Sequence, residues 1–330
     1  MWYKKLITSI LLVLGAATGM AQQLSEKSKI SLITCSPGDE LYARYGHTAL
    51  LVYDPVQNIQ WVFNYGLFDF EVEDFYLKFV KGETFYELGV EDYQQFLIAY
   101  SLENRQVYEQ ELNLSLEQRQ AFLDALLENY LPQNRKYLYN FVFDNCATRP
   151  LTLIRNVLGQ EFKSTYRGYQ GLTYREFISH YSRPSSWADF GINLLFGKRA
   201  DQPMTEGANL FLPEEVMNYV AGATLSDSKE LVRSQSIHPF EIKKVPWYET
   251  WYFGAVLFLI LTIAISRIDR HRGKFSWWYD AIFVVIYLLL TGLIFFLVHY
   301  SIHPLVGYNW RLLIFPMIHL CARLTYFFRA

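Results

Sequence analysis

Several patterns that announce familiar chemistry are missing from this sequence of 330 residues. It has no HExxH, no CxxC and no close cluster of His with Asp, so a metal site of the usual spacing is not expected. GxSxG is absent too, which argues against a serine nucleophile on a strand-to-helix elbow. No cofactor is expected either. Charge is sparse: 19% of residues are Asp, Glu, Lys or Arg, and the formal net charge is −2. That balance offers no field to attract a nucleic acid. Cysteine is scarce as well, limited to Cys35, Cys146 and Cys321. An odd count leaves at least one thiol unpaired.

Apolar surface is what the chain has in excess. It is 52% hydrophobic and 18% aromatic, and the excess is unevenly spread. The N-terminus reads MWYKK, then the apolar run 6–19, then MAQQ. Two lysines, a run shorter than the roughly 20 residues of a membrane span and small residues at Gly19 and Ala21 predict a secretory signal, 1–21, cleaved after Ala21. Residues 22–246 have mixed composition and read as a folded exported domain. Pro246 and the aromatic cluster Trp247, Tyr248, Trp251 and Tyr252 then mark a water–membrane interface.

Residues 247–330 form the predicted membrane region, with spans at about 251–266, 279–300 and 312–328. The loop after the first span carries Arg267, Arg270, Arg272 and Lys274 against Asp269. Such a basic loop belongs on the cytoplasmic side. The second span therefore returns outward, the third ends inward near Arg323 and Arg329, and the 22–246 domain is extracytoplasmic. In an exported domain a disulfide can form, and a Cys35–Cys146 bridge stays open.

Within that domain, 31–35, 48–54 and 60–65 read as strands, with PGDE and the 55–58 connection as turns. Helices are expected at 91–100 and 115–130, the second opened by Ser115 and Gln118 as a capping box. Another helix is expected to begin at Asn145 or Cys146 and to end at Gly159, with Leu151, Ile154 and Leu158 as its apolar stripe. Cys146 would then lie on the first helical turn. There, free amides and the helix dipole favour a thiolate and can bind an oxyanion. An arbitrary cysteine is more often a small buried hydrophobe, but here Asp144, Asn145, Thr148 and Arg149 crowd around the sulfur.

A base must hold one ring nitrogen toward the thiol and the other toward an orienting group. His47, after Gly46 at the start of an apolar strand, suits that role better than a histidine on a mobile loop. Asn64 on the next strand is the candidate orienting group, with Asp69 and Asp54 as alternatives that could equally be turn residues. Arg149, three residues beyond the cysteine, could hold a phosphate, favour the thiolate or simply pair with Asp144. His299 and His303 flank the outer end of the second span, where an ionisable group can be functional or merely hydrated.

The order of His on a strand, a polar residue on the next strand and Asn-Cys opening a helix is similar to the circularly permuted papain-like superfamily that includes lecithin:retinol acyltransferase. Four ordered segments carry a closer resemblance: PGDELYARYGHTALLVYD, FNYGLFDF, FVKGETFYELG and YNFVFDNCATR, with SIHP and NWRLL near the C-terminus. Together they resemble the Lnb family of bacterial lipoprotein N-acyltransferases. The resemblance implies an α+β, permuted papain-like domain on the periplasmic side of the inner membrane, followed by a membrane region of about five spans in the family against three here. It places Cys146 and His47 as the catalytic pair. It maps Asn64, Tyr65 and Arg149 onto motif positions without assigning them a role; beside it, the residues themselves offer Asn64 as third member and Tyr65, Arg149 and His303 as candidates for holding substrate. It also implies an acyl chain passing from a membrane phospholipid through a Cys146 thioester to the α-amine of a diacylated lipoprotein. Two rival readings stay open: a papain-like cell-wall peptidase or amidase that uses the same pair, and a non-catalytic membrane scaffold that would tolerate the loss of Cys146 or His47.

Overall fold

The computed structural model describes residues 22–69, 71–159, 162–236 and 244–309. The predicted signal 1–21 and the predicted third span 312–328, with Cys321, lie outside them. The described chain is a mixed α+β domain carrying two long apolar helices. Its elements in order are β1 (Lys29–Cys35), β2 (His47–Asp54), β3 (Ile59–Leu67), α1 (Phe75–Lys81), β4 (Phe85–Asp92), α2 (Tyr93–Leu102), β5 (Val107–Leu112) and α3 (Leu116–Tyr130). These are followed by β6 (Lys136–Leu138), α4 (Thr148–Leu158), β7 (Lys163–Ser164), α5 (Tyr174–Tyr181), α6 (Trp187–Leu195), α7 (Pro213–Ala221), β8 (Ala223–Thr224) and β9 (Val232–Ser236). The membrane helices are α8 (Trp251–Arg272) and α9 (Trp277–Tyr300).

Seven strands form one antiparallel sheet in the order β6-β4-β3-β2-β1-β5-β9. Its central strands read as nearly continuous apolar runs because both faces are covered. Leu50, Val52, Phe63 and Tyr65 face Phe122 and Leu126 of α3 and Leu151 and Ile154 of α4. Ile33, Ala49, Leu51 and Val62 lie under Phe96 of α2. Side chains one residue apart thus enter different cores, as a period of two requires.

The three predicted strands form, each slightly longer than expected. The capping box of α3 is present: Ser115 Oγ accepts from Gln118 N at 3.2 Å and Gln118 Oε1 accepts from Ser115 N at 2.9 Å. The helix predicted at 91–100 begins two residues later. Glu91 and Asp92 stay in β4, paired with Val62 and Trp61, and the Asp92 carboxylate caps α2 by accepting from Gln94 N and Gln95 N.

The two membrane helices stand where the sequence placed its first two spans. α8 continues to Arg272, so Arg267 and Arg270 are helical rather than in a loop. Basic groups are favoured at that carboxyl end by the helix dipole, and Gly273, at φ 61°, ends the helix in a left-handed cap. After α9 the chain returns to the domain: Leu305 enters an apolar cluster with Phe177, Tyr181 and Phe211.

Candidate active site

Cys146 stands where the loop after β6 turns into α4, and Asn145 builds that turn. Its Oδ1 accepts from Ala147 N and Thr148 N at 2.8 and 2.9 Å, and its own N–H donates to Thr148 Oγ1 at 2.8 Å. Its Nδ2 donates to the carbonyls of Phe141 and Phe211. Regular helix therefore starts at Thr148, two residues beyond the thiol, rather than at Asn145 or Cys146. The amides of Ala147 and Thr148, expected to face a substrate, are taken by the cap. The backbone N–H groups that favour the thiolate are those of Thr48 and of Cys146 itself. An amide pair from a strand and a turn thus replaces the helix end as the candidate oxyanion hole.

His47 opens β2 opposite Cys35. Its Nε2 lies 2.6 Å from Asn64 Oδ1, while Asn64 Nδ2 donates to Glu91 Oε1 at 3.0 Å. Because the Asn64 amide N is committed to a carboxylate, its oxygen must face the ring, so Nε2 carries the proton and Nδ1 is left as the basic nitrogen. The structure thus brings Asn64 to His47 as expected and adds Glu91, which the sequence reading missed. The alternatives lie elsewhere as turn residues: Asp54 accepts from Ser25, Val56 and Gln57, and Asp69 accepts from Glu71 N.

The thiol and the imidazole approach from different faces of the sheet. Cys146 packs on the α3–α4 core, whereas Ala49 and Leu51, on the same side of β2 as His47, enter the α2 core. Both lie beside Gly66, at an irregularity near the end of β3. A Cβ on Gly66 would stand 3.5 Å from Cys146 Cβ and 3.6 Å from His47 Cε1. Glycine inside a strand marks such a close approach, and at φ 110° this one is also in the left-handed region. Gly66→Ala is therefore expected to strain the backbone by about 1–3 kcal/mol through its φ, the added methyl itself standing at ordinary contact distance from both groups. Reaction of the Cys146 thiol should slow by roughly tenfold as the strained strand end shifts, a misplacement of about 1 Å being enough for that or more. Comparing that rate with thermal unfolding separates the two effects.

Burial governs the resting protonation states. It lowers the His47 pKa to about 4, against a smaller upward pull from Asn64, with the Arg105 charge adding to the fall. It raises the Cys146 thiol to about 11, even though the Thr48 and Cys146 amides and Arg105 favour the thiolate. The pair rests as neutral thiol and neutral imidazole, not as the thiolate expected from a helix terminus, because desolvation outweighs the amide dipoles. Cys35 and Cys146 are both free, so no bridge joins them. Cys35 is buried beside Tyr100, its thiol pushed upward by desolvation.

The remaining candidates have structural partners. Arg149 makes a bidentate pair with Asp144, at 2.6 and 2.8 Å, and its guanidinium lies 3.6 Å from the Tyr137 ring centroid. It clamps the two sides of the cysteine turn rather than reaching for a phosphate. Removing it (Arg149→Ala) should cost about 1–2 kcal/mol, from a half-exposed ion pair plus a cation–π contact, read as a lower melting temperature. Tyr65 does not face substrate: it is 1% exposed in the core with its hydroxyl accepting from Asn129, since its neighbour Asn64 takes the other face of β3. His303 Nε2 donates to the Phe79 carbonyl at 2.9 Å, and His299 Nδ1 bonds Phe295 O within α9. Among the described residues, no group of three or more His, Cys, Asp and Glu is placed to hold a metal ion.

Two family models match the chain. The Lnb N-terminal periplasmic domain covers residues 21–180, which include every site residue from Cys35 to Arg149, and the Lnb transmembrane domain covers residues 249–330. No curated protein and no solved structure matches.

Proposed function

The chain belongs to the Lnb family, as an inner-membrane protein with a periplasmic N-terminal domain, and from that premise we propose that it is a thiol-dependent lipoprotein N-acyltransferase. Family membership supports lipoprotein processing and acyl transfer. The finer reading rests on one observation: an imidazole oriented by Asn64 and a thiol beside two amide donors both border Gly66. A histidine on a strand preceding a cysteine at a helix start also supports a permuted papain-like domain over about 22–246, with 247–330 as its membrane region.

In the first half-reaction the Cys146 sulfur attacks an ester carbonyl of a phospholipid as its proton passes to His47 Nδ1. The Thr48 and Cys146 amides receive the developing oxyanion. Collapse breaks the ester C–O bond, and His47 returns the proton to the leaving lysophospholipid oxygen. In the second, the neutral α-amine of a diacylglyceryl-cysteine attacks the thioester, its excess proton goes to His47, and the C–S bond breaks. The thiolate then recovers that proton. The membrane helices keep the site beside both lipid substrates and so raise their effective concentration.

The test uses the purified full chain in phospholipid nanodiscs with an acyl-labelled donor. A hydroxylamine-labile label on Cys146, release of lysophospholipid and passage of the label to the amine of a diacylated lipopeptide are expected. Label lost only as free fatty acid would make the protein a hydrolase. No adduct at all would leave the scaffold reading.

A further inference from the structure

The short helix α1 is held against the outer end of a membrane helix. α9 ends at Tyr300; Ile302 N–H then donates to Lys81 O at 2.8 Å, and His303 Nε2 donates to Phe79 O at 2.9 Å. The contact is close enough to need glycine at the α1 terminus. A Cβ on Gly82, itself at φ 78°, would stand 3.1 Å from Ile302 and 3.3 Å from His303. A second tether lies at the other membrane helix: Trp251 N–H, at the outer start of α8, donates to Ser185 O, and the Trp251 and Phe190 rings stack at 5.6 Å. With one attachment at the outer end of each membrane helix, α1 and the start of α6 are held at the level where those helices leave the membrane.

There α1 turns Tyr76 and Leu77, 73% and 47% exposed, away from Phe75, while Phe79, one turn on from Phe75 and stacked with it at 6.1 Å, lies at the flank and is 50% exposed. Water is a poor partner for such a cluster, whereas aromatic rings settle well at headgroup depth. The buried side of the same helix leads inward. Phe75 stacks on Phe68 at 5.8 Å, Phe68 meets Tyr86 at 5.0 Å, and Tyr86 stacks on Tyr139 at 4.1 Å. Tyr86 belongs to the apolar cluster against which both Tyr139 and Cys146 pack.

We propose that α1 is an interfacial helix whose outward face enters the headgroup layer of the periplasmic leaflet, and whose inward face begins an aromatic track that guides a phospholipid acyl chain to Cys146. The track deepens, and rests on, the reading of a phospholipid as acyl donor; insertion of the helix does not. The His303 tether then sets how deep the helix rides, which gives that residue a role without substrate contact.

Insertion is tested by spin-labelling Tyr76→Cys in the full chain with Cys35→Ser, Cys146→Ala and Cys321→Ala, reconstituted in phosphatidylethanolamine–phosphatidylglycerol vesicles. Relaxation by dissolved oxygen should exceed relaxation by a water-soluble nickel chelate. The reverse order, as for a label in bulk water, overturns the proposal. A second experiment uses Tyr76→Ser with Leu77→Ser on the native cysteine background. Acylation of Cys146 by bilayer phospholipid should fall at least tenfold, while alkylation of Cys146 by iodoacetamide keeps its wild-type rate and reports an intact fold. Wild-type acylation in that variant also overturns the proposal. If the wild-type chain itself takes no acyl group while the label proves buried, the donor reading fails and the insertion stands.

Discussion

Replacing Cys146 with alanine is expected to leave lipoproteins diacylated in a strain with no other N-acyltransferase, with in vitro transfer down by about 10⁴-fold or more, as for loss of a nucleophile. The substitution removes a partly accessible sulfur and leaves the Asn145 cap, which fixes the turn through its own side chain, untouched. Folding should therefore survive, and mass spectrometry of lipoprotein N-termini reads the chemistry directly. Cys146→Ser should be almost as inactive. An imidazole with a pKa near 4 is too weak a base to draw a proton from an alcohol, which is less acidic than the Cys146 thiol even when burial raises that thiol to about 11. Triacylated lipoproteins from either variant would remove Cys146 from the mechanism.

The second large effect belongs to His47, and pH exposes it. Only neutral imidazole accepts a proton, and burial holds its pKa near 4. Wild-type acylation should be flat through neutrality and fall as pH drops through about 4. In His47→Ala the rate at pH 7 should drop by about 10²–10⁴-fold, the usual worth of a positioned base. The Cys146 thiol, at about 11, is then almost wholly protonated at neutral pH. Each unit of rising pH should restore roughly tenfold, as thiolate forms without help. Single-turnover acylation of Cys146 across pH is the measurement. A wild-type profile falling between pH 6 and 7 instead would mean that the imidazole titrates at its ordinary value. A variant with an unaltered profile would mean that His47 is not the base.

The legible parts of the molecule were those with a local cause. Buried apolar runs marked β1, β2 and β3, and Ser115 with Gln118 marked the start of α3. Two membrane helices followed from length and apolarity. β4, β5, β6 and β9 were not read. Their pattern is mixed, and β6 and β9 are short edge strands whose identity comes from their partners rather than from their own periodicity. Arg149 shows the same limit in the site. Three residues from the cysteine it reads as a ligand or a thiolate partner, but Asp144 and the Tyr137 ring claim its guanidinium. Gly66 and Glu91 were missed for the opposite reason. Both lay in the quoted motifs or beside them, but nothing near either residue says that a thiol and an imidazole will border the first or that the second will hold Asn64.

From residue order alone came the exported domain, its apolar anchor and the expectation that His47, Asn64 and Cys146 belong together. Those follow from composition and motif, which are one-dimensional properties. The protonation state of the pair, the source of the amides around the sulfur and the face turned to lipid were decided by folding. Each depends on what burial removes from water and on which backbone groups neighbouring elements have already claimed, and neither quantity exists until the chain has packed.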